Sequence, residues 1–214
     1  MKKEYTPKSK QNTTPDAKQL IEFINQIFPL SPEAISFLKE HTFFIKIPRG
    51  KFLLLPGEIC HHYYYIQKGI LRSFLKYGSK DITIWINPEK EITTAIRSMS
   101  RNEPANEYIQ AVEECELIAM PYESMAEFYE RFPEMNKVGR LLLEQYYAAS
   151  EERVYICRIP RAHLRYTHFV ESRPELANRI PLKIVASYLG ITLETLSRLR
   201  AKNASGKKII KKIK

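Results

Sequence analysis

Apolar residues recur every three to four positions at Leu20, Ile21, Phe23, Ile24, Ile27 and Phe28, the spacing of one buried helix face. Ser31 followed by Pro32 predicts the start of a second helix carrying Ala34, Ile35, Phe37 and Leu38. Serine accepts from a free first-turn amide, and proline has no N–H to lose there. From Phe43 the pattern changes. Short β-prone runs follow at residues 43–47, 51–55, 63–66, 70–77, 82–86, 108–112 and 116–120. Arg49-Gly50, Pro56-Gly57, Lys68-Gly69, Gly78-Ser79 and Asn87-Pro88 punctuate them. Many short strands at this spacing predict a compact β domain, a roll, sandwich or barrel, rather than a parallel sheet with crossover helices. Within it, His61, His62, Tyr63, Tyr64 and Tyr65 predict an aromatic strand with alternating buried rings.

Helical periodicity returns over residues 122–132, stops at Pro133, and resumes as a longer helix over about 134–156. The long helix carries Val138, Leu141, Leu142, Gln145, Tyr146, Ala149 and Ile156 on overlapping faces, with charged residues between them. Such a stripe either packs on its own domain or forms a two-helix dimer seam, and its length and placement favour the seam. Pro160 then turns the chain, and residues 162–171 form another short helix ending before Pro174.

The 214 residues suffice for two modest cores, and 44% hydrophobic with 27% charged residues is ordinary for a soluble chain. No stretch approaches the roughly 18 apolar residues of a membrane span, and the segment Met1 to Asp16 lacks a secretory apolar core, so it reads as a disordered tail and the cytoplasm as the address. Cys60, Cys115 and Cys157 lie far apart with no Cys-x-x-Cys spacing, which argues against a disulfide framework, zinc or iron–sulfur and for buried reduced thiols. Charge divides the chain sharply. From Arg158 onward there are fourteen Lys and Arg against three Asp and Glu, whereas the rest carries 20 basic and 21 acidic residues. The whole excess of the net +10 therefore sits in the last 57 residues, as expected of a module that displaces counterions from nucleic-acid phosphates.

Within that basic segment, residues 182–201 read LKIVASYLGITLETLSRLRA. Ile184, Val185, Tyr188 and Leu189 give a first helix its apolar face, Gly190 can take the positive φ that ends it, and Thr192 caps a second. Ala186 is small where the helices cross, and Ile191, Leu196 and Leu199 bury the second helix. These are the requirements of a helix-turn-helix, whose second helix enters the DNA major groove. Leu193, Glu194, Thr195, Ser197 and Arg198 then start the recognition helix behind Thr192, with Glu194 suited to a cytosine amino group and Arg198 to guanine. Ser187, Arg200 and Lys202 are placed for phosphate contacts.

With its β domain, long helix and IPLKIVASYLGITLETLSRLRAK ending, the chain resembles the Crp/Fnr family of bacterial transcription regulators from about Leu20 onward. IPRGKFLLLPGEICHHYYYIQKGILRSF, at residues 47–74, is also similar to the family's opening strands. The resemblance implies an α+β fold: an antiparallel, jelly-roll, cyclic-nucleotide-binding-like β-roll joined by a long dimerisation helix to a winged helix-turn-helix domain. It implies a disordered tail over residues 1–18, a β-roll sensor over 19–132, the dimerisation helix over 133–158 and the DNA-binding domain over 159–214. The implied partners are double-stranded palindromic DNA, a second copy of the chain and RNA polymerase, with no membrane and no catalytic activity. Glu194 and Arg198 fall where the family reads bases. The ligand element does not carry over: nucleotide-binding members use a Gly-Glu pair and an Arg-containing element, where this chain has Pro104-Ala105-Asn106 and no Gly-Glu pair, with Arg97 and Arg101 off the spacing. No cofactor is therefore expected, and the effector is left open. Ser205-Gly206 and Lys207, Lys208, Lys211 and Lys212 leave little room for a full wing and read as further phosphate contacts.

Two other classes compete. Glu58, Cys60, His61 and His62 suggest a cupin-like metal-binding enzyme, although adjacent residues on a strand point to opposite faces. The basic C-terminus suggests a protein- or membrane-interaction module, although IIKKIK is short for one.

Overall fold

The computed structural model describes residues 17–204. The expected tail before Ala17 and the lysines from Lys207 onward lie outside the described residues. The described residues divide into two compact units: Ala17–Leu75 with Ile84–Gln145, and Lys76–Thr83 with Tyr146–Ala204.

The first unit begins with α1 (Lys18–Ile27) and α2 (Pro32–His41). Ser31 caps α2 as expected, accepting from the Ala34 amide at 3.3 Å, while its hydroxyl donates to Glu134 Oε1 at 2.6 Å. Eight strands follow: β1 (Phe43–Ile47), β2 (Phe52–Leu54), β3 (His62–Lys68), β4 (Leu71–Tyr77), β5 (Lys80–Asn87), β6 (Ile92–Thr93), β7 (Tyr108–Ala111) and β8 (Cys115–Pro121). They form two four-stranded sheets in the orders β1-β8-β3-β6 and β2-β7-β4-β5, with antiparallel pairing. Between them lies a core of Ile47, Leu54, Ile66, Leu71, Ile109, Ala111 and Leu117. This is the antiparallel β-roll of an α+β fold.

Helices α3 (Ile96–Arg101), α4 (Tyr122–Arg131) and α5 (Pro133–Arg158) complete the α and β elements of this region. Strand β6 and helix α3 lacked a periodic signal because two and six residues are too few to show one. The aromatic strand departs from simple alternation. Tyr64 and Tyr65 are both buried, on opposite faces of β3. Tyr64 joins the core between the sheets, and Tyr65 packs with α1, α2, α4 and the start of α5, beside Leu20, Phe37, Ile118, Phe128 and Val138. A strand covered on both faces shows no alternation of burial. His61, expected on this strand, is an exposed residue just before it.

In the second unit, α6 (Ala162–Ser172), α7 (Leu182–Leu189) and α8 (Leu193–Ala204) pack on one another. Tyr166, Phe169, Leu176, Ile180, Val185, Ala186, Leu189 and Leu196 are buried there. Cys60 and Cys115 are buried free thiols, but Cys157 is exposed, which corrects the expectation of three buried cysteines. Cys157 follows buried Ile156 on α5, where each residue turns about 100° from the one before and so leaves the buried face.

Candidate nucleic-acid interface

The α7–turn–α8 hairpin is built by local chemistry. Gly190 ends α7 with φ +61°, and its amide and that of Ile191 donate to Ser187 and Ala186 carbonyls at 3.2 and 3.0 Å. This left-handed cap satisfies carbonyls that the last helical turn leaves open, and glycine adopts it without a Cβ penalty. Arg165, from α6, donates to the Leu189 carbonyl at 3.0 Å and closes the same helix end. Ala186 is 3% exposed, as the small crossing residue should be.

Thr192 starts α8. Its Oγ1 accepts from the Thr195 amide at 3.2 Å and lies 3.0 Å from Thr195 Oγ1, so Thr195 is half-buried and part of the cap. Leu193, Glu194, Ser197 and Arg198 are exposed along the first two turns, whereas Leu196 is fully buried behind them. The Glu194 carboxyl is held below the usual range by its own backbone N–H, then by Thr192 and by the charge of Arg198. At neutral pH it is an ionised, acceptor-only group beside a five-donor guanidinium, a pair able to distinguish base edges.

The three predicted phosphate-contacting residues fare differently. Lys202 is exposed on the last described turns of α8. Arg200 is half-buried and reaches back to the Ala177 carbonyl at 3.5 Å and Asn178 Oδ1 at 3.4 Å, bracing the segment before α7. Ser187 gives its hydroxyl to the Asp81 carbonyl at 2.6 Å and accepts from the Thr83 amide at 2.9 Å. Sequence reasoning missed Lys183, exposed one turn before Ser187 on α7.

On α5, Val138 and Ile156 are buried within the chain, at 0% and 5% exposure, and Leu141, Leu142, Tyr146 and Ala149 are half-buried, leaving only Gln145 of the predicted seam exposed. The large apolar residues exposed on α5 are Leu143, Tyr147, Val154 and Tyr155. The sequence stripe thus mixes an inward face with its neighbour, because the helix has apolar residues on both.

Residues 44–132 match the cyclic nucleotide-binding domain family. Similar solved structures include FixK2 of Bradyrhizobium japonicum, 14% identical over 78% of this chain and 86% of that one, with a TM-score of 0.67. A CooA mutant of Carboxydothermus hydrogenoformans is 16% identical over 91% and 88%, at 0.66. The c-di-GMP responsive regulator CLP of Xanthomonas campestris is 13% identical over 86% and 96%, at 0.65. No curated protein matches the chain. The β-roll is thus a cyclic nucleotide-binding-type domain, and the chain has the fold of Crp/Fnr-type transcription regulators.

The residues at the family's ligand position do not fit a cyclic phosphate. Ser98 donates to the Glu103 carbonyl at 2.6 Å and accepts from the Cys60 amide at 3.0 Å, so its hydroxyl is already used. The Ala105 amide donates to the Glu58 carbonyl at 2.8 Å, and the Gly57 amide to the Ala105 carbonyl at 2.9 Å. Ala105 itself is 5% exposed among Cys60, Tyr64, Ala95 and Met99, an apolar surface where an anion needs a cation and free N–H groups. Arg97 is a surface residue 3.9 Å from Glu103, and buried Arg72 is held by Gln110 Oε1 at 2.7 and 2.9 Å. Among the described residues, no group of three or more His, Cys, Asp and Glu is placed to hold a metal, and no helix is long and apolar enough to cross a membrane.

Proposed function

We propose that this chain is a sequence-specific DNA-binding transcription regulator that acts as a homodimer on a palindromic operator, with half-sites about one helical turn apart. The observation that carries the reading is the exposed set Leu193, Glu194, Ser197 and Arg198 on the first two turns of α8, held out by a capped turn and a buried inner face. Glu194 and Arg198 read base edges; Lys183 and Lys202 contact phosphates. The reading assigns no catalytic step to any residue, and RNA polymerase is the further partner that a regulator engages.

Dimerisation through α5 is supported by a second face of that helix. Leu143, Tyr147, Ser150, Val154 and Cys157 follow one another at alternating four- and three-residue steps, the seam spacing of paired helices, and all but half-buried Ser150 are exposed. This face replaces the stripe through Val138 and Ile156 as the proposed contact.

The test is selection of bound sequences from random duplex DNA, run for the unmodified protein, Arg198→Ala and Lys183→Ala. A palindromic motif is expected. Arg198→Ala should relax specificity at one position per half-site, by about 1–3 kcal/mol of discrimination. Lys183→Ala should weaken binding evenly across sequences and lower the salt dependence. Enrichment of no motif by the unmodified protein would overturn the proposal.

A further inference from the structure

Within the second unit, the first helix of the helix-turn-helix carries an occupant on the face predicted to meet DNA. Residues Lys76–Thr83, where β4 turns into β5, group with the helices from Tyr146 onward. The attachment is specific. Ser187 Oγ on α7 donates to the Asp81 carbonyl at 2.6 Å and accepts from the Thr83 amide at 2.9 Å. Arg153 on α5 donates to the Thr83 carbonyl at 3.2 Å, and its guanidinium lies 3.8 Å from the centre of the Tyr188 ring on α7. The Asp81 carbonyl and both the amide and the carbonyl of Thr83 are thus matched to one serine and one arginine.

A serine hydroxyl has a single proton to donate. While that proton is on the Asp81 carbonyl, it is not available to a DNA phosphate. Lys183 lies one turn earlier on α7, so Ser187 lies on the face that carries a cation. The docking is also incomplete: Thr83 is fully buried, yet its Oγ1 has no hydrogen-bond partner among the described residues. A buried unpaired hydroxyl weakens the docked state, as suits a contact made to be released.

From these contacts we infer that the Lys76–Thr83 turn is a latch that competes with a DNA phosphate for Ser187, so that DNA binding and hairpin docking oppose each other. The inference rests on the DNA-binding reading above. By linkage, whatever loosens the hairpin raises DNA affinity, and DNA loosens the hairpin by the same factor.

The test uses the full chain and mixed-sequence duplex DNA at low salt, because a phosphate contact is independent of sequence. Hydrogen exchange at the Thr83 amide reports the latch directly, and fluorescence anisotropy of labelled duplex reports affinity. Arg153→Gln removes the arginine arm while leaving Ser187 and all of α8 intact. It should raise duplex affinity about three- to tenfold, the effect of one hydrogen bond, and speed Thr83 exchange in the free protein by a similar factor. In the unmodified protein, saturating duplex should likewise speed Thr83 exchange. Duplex binding with Thr83 exchange unchanged or slowed would overturn the latch while leaving the DNA-binding reading in place, as would an Arg153→Gln protein that folds and binds no more tightly. Retention of no duplex by either protein would instead overturn the DNA-binding reading, and the latch with it.

Discussion

At the scale of single residues, Gly69 is held most tightly by its surroundings. Its φ is +95°, and an added Cβ would lie 2.5 Å from the Glu114 carbonyl oxygen and 2.7 Å from Cys115 Sγ. Left-handed strain and a clash with backbone act together, so Gly69→Ala should destabilise the β-roll by at least about 3 kcal/mol. Thermal unfolding should show a midpoint lowered by roughly 10 °C or more. His62 sets a pH response in the same unit. Burial first, then the neighbouring His61, lowers its proton affinity, with Glu123 opposing them, so the folded state favours neutral imidazole. An unfolded histidine protonates near pH 6.5, and below that pH the unfolded chain binds more protons than the folded one. Stability should therefore fall as pH drops from about 6.5 towards the lower folded-state value. His62→Gln should flatten this part of the curve of urea midpoint against pH, and an unchanged slope would show that other groups set it.

At the scale of elements, the starts of α2 and α8 were legible because a side-chain cap needs only a few adjacent residues. Ser31 and Thr192 both cap through a side-chain oxygen and an amide three residues on. Thr192→Ala should cost about 1 kcal/mol of stability in the α7–turn–α8 pair, visible as a lower unfolding midpoint and faster exchange of the Thr195 amide. Strand β1 and the α7–turn–α8 pair were equally plain, one from its β-prone run and the other from Gly190 between two amphipathic faces. Strand β6 and helix α3 were not, since they are shorter than the periods that would announce them. The orientation of α5 was only half legible. Its apolar residues cover more than one face, and periodicity alone does not say which face the rest of the chain has taken.

At the scale of the whole molecule, the exposed face of α5 governs assembly in the proposed function. Val154, 54% exposed, sits in the stripe with Leu143 and Tyr147. Val154→Glu should place two carboxylates in a seam that is otherwise apolar there, and sedimentation should show the dimer giving way to monomer. Because a palindrome is read by two recognition helices, operator affinity should fall at the same time. A Val154→Glu protein that remains dimeric would move the interface elsewhere. The charge division acts on the same scale: the excess positive charge from Arg158 onward predicts steep salt dependence of binding, carried by the basic C-terminal segment rather than by the β-roll.

Local and periodic information determined the β-roll strands other than β6, the long helix, the capped α7–turn–α8 pair and the location of the basic charge, because turns, caps and amphipathic faces are written in neighbouring residues. Contacts between residues far apart in the chain were decided by the tertiary structure alone. Packing against both faces of β3 buried Tyr64 and Tyr65 in different cores. The burial of Val138 and Ile156 left Leu143, Tyr147 and Val154 as the free face of α5. The reach of Arg200 to Asn178, and of Ser187 to a turn more than a hundred residues earlier, drew two predicted phosphate contacts into contacts within the chain. A side chain's type limits what it can bind, but only its neighbours in space determine which of those bonds it makes.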